Sequence, residues 1–346
     1  MRNIIILLLL LPSFPVQSQS DWVKLSTATG NIEVPNNGKQ QTSAEMRFGD
    51  TTRTGVPFSK DPHVIGFKGR YLMYYSVPPY RDASNPVKGW GIGIAESSDL
   101  VSWKKIAEIA TEGDYEKKGI CAPCALVIGE KVNLFYQTYG NGRNDAICHA
   151  WSDDGIHFTR NATNPVFRPD GKWNCGRAID AEVILFKGKY LLYYATRDSA
   201  YKIQMIGVAA APGNSDFSRD DWKNISKNGP VLEPQLPWER ECIEGASVIK
   251  KGRNLIMFYA GAYNNNPQQI GMAISKDGVS WKRISDQPFL ANGKPGDWNS
   301  SESGHPHIFD NPDGPDYLFY QGNNDNGKTW FISNKKITWI KGLPSL

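Results

Sequence analysis

Asp61, Asp180, Glu244 and His305 fall at one point of a repeating pattern, with Ala122 at the same point of a fifth copy. Successive positions are 58 to 64 residues apart. Brought together in a partly dry site, three carboxylates and an imidazole would shift one another's proton affinity, because like charges cannot all stay ionised. One carboxyl would then hold a proton while another stays charged. Hydrolysis of a glycosidic bond needs that pairing: an acid for the leaving oxygen and a base or nucleophile opposite. Packing alone is a poor reason to collect such groups, since burying charge is costly.

For these residues to meet, the segments that carry them must be strands converging on one axis. The first copy reads Asp61-Pro62-His63-Val64-Ile65, turns at Lys68-Gly69-Arg70, and returns as Tyr71-Leu72-Met73-Tyr74-Tyr75. Another reads Asp180-Ala181-Glu182-Val183-Ile184, Lys187-Gly188-Lys189, Tyr190-Leu191-Leu192-Tyr193-Tyr194. Further copies run from Ala122 to Tyr136, from Glu244 to Tyr259 and from His305 to Tyr320. An apolar stretch, a glycine turn and an aromatic stretch predict a hairpin. A third apolar stretch follows, such as Gly91 to Ala95, and then a polar turn ending in an aromatic such as Trp103 or Trp281. Four strands in each of five units predict an all-β protein, a five-bladed β-propeller of four-stranded antiparallel blades. A β-sandwich or barrel with accidental self-similarity is the competing fold. In a propeller the first strand of each blade lines the central channel, which brings the repeat position to the axis. The segment from Asp21 to Leu25 is expected to close the ring against the last blade.

Composition agrees: 33 Gly and 22 Pro supply turns, and 11 Trp and 15 Tyr suit strands. With 39 basic against 35 acidic residues and no basic cluster, charge excludes nucleic acid as a partner. Arg2, the apolar run Ile4 to Leu11 and small residues at Val16 and Ser18 read as a signal peptide over residues 1–18. The run is too short to span a bilayer. Residues 19–346 are expected to form a single catalytic propeller, secreted or periplasmic, without a membrane span. Cys121, Cys124, Cys148, Cys175 and Cys242 are read as buried thiols, because Cys121-Ala122-Pro123-Cys124 has no second pair at zinc-site spacing.

The motifs Lys60-Asp61-Pro62-His63, Ala178-Ile179-Asp180, Ile243-Glu244-Gly245 and Gly304-His305 each precede a different blade. In that order they resemble the five-bladed glycoside hydrolases of family 43 and their relatives in families 32, 62 and 117. The resemblance spans about residues 55–340. It implies a hydrolase that removes terminal sugars, arabinofuranoside- or xyloside-like, from polysaccharide or oligosaccharide with inversion. It implies Asp61 as general base, Glu244 as general acid, and Asp180 as the residue that tunes the acid and orients the sugar. His305 would lie under the sugar; no cofactor is required, though a calcium ion near the axis is compatible. Ala246 departs from the Pro common in family 43, and Ile243 from the proposed acid His of family 117. Glu241-Cys242 is similar to the acid motif of family 32, whereas the repeat selects Glu244. A non-catalytic glycan-binding propeller and a family-117-like anhydrogalactosidase are the alternatives.

Tyr115, Trp173, Trp238 and Trp298 recur six or seven residues ahead of the repeat position, where aromatics either stack on sugar rings or pack between blades. Trp90 breaks that recurrence and is the freer sugar platform, while Arg177 and Arg143 offer donors to hydroxyls or an acidic substituent. Substrate contacts are therefore expected from Trp90, Arg177, Trp238, Trp298, His63 and His305. His63, Glu182 and His307 each lie two residues into their strands and share a side with the axial residues. A ring position does not by itself show ligand geometry, so no metal ligands are assigned.

Overall fold

A two-residue glycine turn sets the register of four of the five first hairpins. Strand β1 (Lys60–Phe67) pairs with β2 (Arg70–Val77) across Lys68 and Gly69, whose φ angles are 51° and 77°. Both central residues of this two-residue turn need positive φ, which glycine supplies at little steric cost. Lys187 and Gly188, at 48° and 75°, join β9 (Ile179–Phe186) to β10 (Lys189–Arg197) in the same way.

The computed structural model describes residues 45–346. Blade 1 adds β3 (Gly91–Ser97) and β4 (Lys104–Ile109). Blade 2 is β5 (Ile120–Ile128), β6 (Lys131–Thr138), β7 (Ile147–Ser152) and β8 (Thr159–Arg160). Blade 3 continues from β9 and β10 into β11 (Gln204–Pro212) and β12 (Lys223–Asn224). Blade 4 is β13 (Ile243–Lys251), β14 (Asn254–Gly261), β15 (Gln269–Ser275) and β16 (Lys282–Arg283). Blade 5 is β17 (Glu302–Phe309), β18 (Tyr317–Asn323) and β19 (Phe331–Lys336), with its outer edge completed by Phe48. Phe48 N–H donates to the Ile332 carbonyl at 2.8 Å, and Ile332 N–H donates back at 2.8 Å. The fold is a five-bladed β-propeller. The expected ring-closing segment Asp21 to Leu25 lies outside the described residues, as do the expected signal peptide at 1–18 and the expected domain's residues 19–44.

The core sits between blades. Tyr74 and Ile94 pack with Leu134 and Tyr136, Phe135 with Leu192 and Tyr194, and Tyr193 with Met257. Phe258 meets Tyr320, and Phe319 meets Met73 and Tyr75 to close the circle. Each such side chain stabilises by about 1.5–3 kcal/mol when removed from water, so stacking is what makes the ring cohere. Among the described residues no helix is long and apolar enough to cross a membrane. The five cysteines are unpaired, four of them buried and Cys175 partly so.

Every first strand carries a bulge. Register slips at Asp61, Ala122, Asp180, Gly245 and His305, whose φ angles lie between 41° and 55°. A bulge leaves one residue unpaired and re-aims its side chain, and the left-handed conformation costs a non-glycine residue roughly 1–2 kcal/mol. The freed amides find side-chain acceptors on the neighbouring blade: Asp61 N–H donates to Gln321 Oε1 at 3.0 Å, and Asp180 N–H to Gln137 Oε1 at 2.6 Å. These pairings correct the repeat alignment. Gly245, not Glu244, is the equivalent of Asp61, and Glu244 stands one residue earlier, opposite Ala260 as Lys60 is opposite Ser76.

Candidate active site

The bulges and the channel bring the four groups together. His305 Nδ1 lies 3.1 Å from Asp61 Oδ1, and Nε2 lies 3.2 Å from Glu244 Oε1, so one imidazole stands between two carboxylates. Asp180, Glu244 and His305 each place an atom within 4.8 Å of the others. Two amides hold Glu244 from different blades: Gln204 Nε2 donates to Oε2, and Gln268 Nε2 donates to Oε1 at 2.8 Å. The glycines of the motifs make room. A Cβ on Gly304 would overlap Gln268 Oε1, and one on Gly245 would sit 3.1 Å from His305 Nδ1.

Burial drives Asp180 up to about 7; the His305 charge opposes this, and the Glu244 and Asp61 carboxylates add to it. Burial would lower His305, but Asp61 and the hydrogen bond to Glu244 outweigh it and raise the imidazole to about 9. Burial also raises Glu244, yet the hydrogen bond and charge of His305 hold it below its ordinary value. In the free protein at neutral pH the imidazole therefore carries a proton, Glu244 is ionised and Asp180 lies near the midpoint of its titration. Asp180 Oδ2 is buried without a hydrogen-bond partner among the described residues.

These groups open into a cavity walled by Lys60, Trp90, Tyr139, Arg177, Arg197, Tyr263 and Asn264. Trp90 and Arg177 thus reach the cavity, with Arg177 Nε 3.3 Å from Asp145 Oδ2. Trp238 and Trp298 are not among its lining residues: Trp238 stacks on Tyr259 at 6.0 Å and bonds the Asp286 carbonyl, and Trp298 packs on Tyr320 at 5.7 Å. Their recurrence reflects the packing of blades. His63 is likewise displaced from the sugar cavity, because the bulge after Asp61 carries it one layer further along the channel. Arg143 is exposed, above the Tyr201 ring. Glu241 is 54% exposed and paired with Lys202, whereas the Glu244 side chain is 6% exposed, which selects Glu244. Sequence reasoning gave no role to Gln204, Gln268, Arg197 or Tyr263; each stands on or beside a strand other than the first of its blade, where the repeat carries no chemical signal.

Calcium takes six to eight oxygen ligands. Here both His305 nitrogens face carboxylates and both Glu244 oxygens accept amides, while Asp180 Oδ2 is buried with no partner among the described residues. These donors do not by themselves make a calcium site, and no step below passes through one.

A propeller whose axis gathers carboxylates of split proton affinity around one imidazole holds the groups that cleavage of a glycosidic bond needs. The chain belongs to glycosyl hydrolases family 43, whose model matches residues 55–343, and it is a glycoside hydrolase. Its fold is similar to that of a thermostable family-43 glycoside hydrolase at 21% identity and TM-score 0.66, covering 86% of this chain and 95% of the other. It is also similar to an alpha-L-arabinofuranosidase from Lactobacillus brevis (18% identity, TM-score 0.64, 84% and 94% covered). An endo-1,4-beta-xylanase from Bacteroides thetaiotaomicron matches at 19% identity and TM-score 0.63, with 83% and 93% covered.

Proposed function

We propose that the protein is a secreted or periplasmic hydrolase that releases terminal arabinofuranoside- or xyloside-like sugars from polysaccharide or oligosaccharide with inversion. The observation that carries the mechanism is the His305 ring between Asp61 and Glu244. Contacts of 3.1 and 3.2 Å on its two nitrogens cap the separation of the contacting carboxylate oxygens at about 8.5 Å, an upper bound that overlaps the ~6.5–9.5 Å of inverting pairs; inversion itself is what the family resemblance implies. Asp61 takes a proton from water as its oxygen bonds the anomeric carbon, and Glu244 gives a proton to the leaving oxygen as the glycosidic bond breaks. Glu244 is ionised in the free protein, and the proton on His305 Nε2 lies one transfer away. A sugar seated over Glu244 excludes water from it, which raises its proton affinity and draws that proton across. Asp180 orients the sugar through Oδ2 and tunes the acid.

The sugar class draws on what the structural relatives are named for, the arabinofuranosidase and the xylanase. A cavity with Trp90 and Tyr139 in its wall and Lys60 and Arg197 as donors suits a single sugar ring. Export rests on the apolar run from Ile4 to Leu11.

Asp180 as the acid is the second reading, favoured by its value of about 7 and its unpartnered Oδ2. Aryl arabinofuranosides and xylosides with a range of leaving groups separate the two. Loss of the acid hurts poor leaving groups most, so the deficit of Glu244→Gln should grow as the leaving group worsens while that of Asp180→Asn stays level. The reverse pattern assigns the acid to Asp180. Undiminished turnover by both Glu244→Gln and Asp61→Asn removes the mechanism.

A further inference from the structure

Two residues beyond Asp61, Asp180 and His305, on the same strands β1, β9 and β17, stand His63, Glu182 and His307. Past each bulge the ladder resumes with His63 opposite Tyr74, Glu182 opposite Tyr193 and His307 opposite Phe319. All three side chains are buried. His63 Nε2 lies 2.9 Å from the Ala125 carbonyl, and His307 Nε2 lies 2.9 Å from the Val64 carbonyl. A carbonyl only accepts, so both Nε2 atoms carry the hydrogen and each neutral ring keeps a lone pair on Nδ1. His307 Nδ1 is buried and has no partner among the described residues, and His63 Nδ1 lies 4.0 Å from Glu182 Oε2.

Glu182 is aimed at the same point. Its Oε1 accepts the Val248 amide at 2.7 Å and the Ser247 hydroxyl at 3.3 Å, while Oε2 stays on the side of the rings with the Cys124 thiol at 3.6 Å. One atom from each of the three residues lies within 4.8 Å of the other two. Backbone carbonyls that fix the tautomer of two imidazoles, and donors that orient a carboxylate, are the outer contacts metal ligands require.

We propose that His63 Nδ1, His307 Nδ1 and Glu182 Oε2 bind one divalent first-row transition metal ion, with zinc the best match. Two imidazoles and one carboxylate suit zinc rather than calcium. A second cavity, lined by His63 and Glu182 together with Pro62, Ala181 and Pro306, reaches two of the three ligands and offers entry and room for a water. The ion ties blades 1, 3 and 5 at the axis, two residues from the groups that face the sugar. Its ligands are positioning residues, and the site stands independently of any reading of the reaction.

The test is metal uptake by the full-length purified protein after chelator treatment, with Zn²⁺ and with Co²⁺ as a spectroscopic probe. One ion per chain is expected, with cobalt bands in the visible and a Tm rise of at least about 3 °C that chelator reverses. Glu182→Gln, close in shape, should weaken uptake at least ~10-fold with the metal-free Tm little changed, and His63→Gln with His307→Gln should abolish it. Absence of uptake by the wild-type protein overturns the site without recourse to any variant. So does uptake that survives Glu182→Gln and the double histidine change undiminished.

Discussion

Glu244 and His305 face each other at 3.2 Å because one stands just ahead of its bulge and the other within one. Gly245 takes the left-handed position that Asp61, Asp180 and His305 take in their blades, which leaves Glu244 on the regular part of the strand. The acid and base of the proposed reaction therefore come from two different backbone settings, and a single imidazole links them.

Asp61→Asn and Glu244→Gln should each lower kcat/KM by at least ~10²-fold, the usual scale of acid–base assistance. Asp61→Asn should melt close to wild type, whereas Glu244→Gln keeps the shape but sets an amide NH2 against the Gln204 or Gln268 donor and should melt lower. Activity on a fast aryl glycoside and a melting curve measured on the same preparations check the two halves of this statement.

Asp180 makes stability depend on pH. Its folded value of about 7 exceeds the ordinary 3.8, so between those values the folded protein binds more protons than the unfolded chain and loses stability as pH rises. Asp180→Asn removes that loss. The Tm of the variant minus that of wild type should climb from pH 4 to pH 7 and level off above; a flat difference contradicts a raised Asp180. His305, raised to about 9 from 6.5, adds a further decline through pH 9 to the wild-type curve.

Gln268 donates to Glu244 Oε1 at 2.8 Å and favours its charged form. Gln268→Leu should raise the Glu244 pKa and ease transfer of the His305 proton to it. The alkaline limb of kcat/KM, which follows loss of that proton from His305 near 9, should stay within about half a unit of wild type. A limb that drops toward neutral pH argues that Asp180 rather than the His305–Glu244 pair supplies the proton.

Trp90 and Trp238 should separate binding from packing. Trp90→Ala is expected to raise KM several-fold, about the ~0.5–1.5 kcal/mol of an aromatic contact, with little change in Tm. Trp238, stacked on Tyr259 and pressed against Gly261 and Gly271, should cost about 2 kcal/mol or more when cut to Ala and leave KM near wild type. Steady-state kinetics beside calorimetry on the two variants decides it.

The propeller was legible in the sequence because its cause is local. A short glycine turn flanked by an apolar and an aromatic stretch makes a hairpin, as at Lys68-Gly69 and Lys187-Gly188 where both φ angles are positive, and five strand pairs near sixty residues apart leave few ways to bury both faces. Convergence of Asp61, Asp180 and His305 followed from that repeat. What the repeat could not show depends on contacts between distant strands. The bulge decides which residue of Glu244-Gly245 occupies the special position, and pairing with β14 rather than composition sets it there. Trp238 and Trp298 sit at regular spacings for the sake of neighbouring blades, and Phe48 closes the ring through two hydrogen bonds to Ile332 that no local pattern announces. The protonation of Glu244 is the furthest from the sequence, since burial and the meeting with His305, Gln204 and Gln268 arise only when blades 3, 4 and 5 close around the axis.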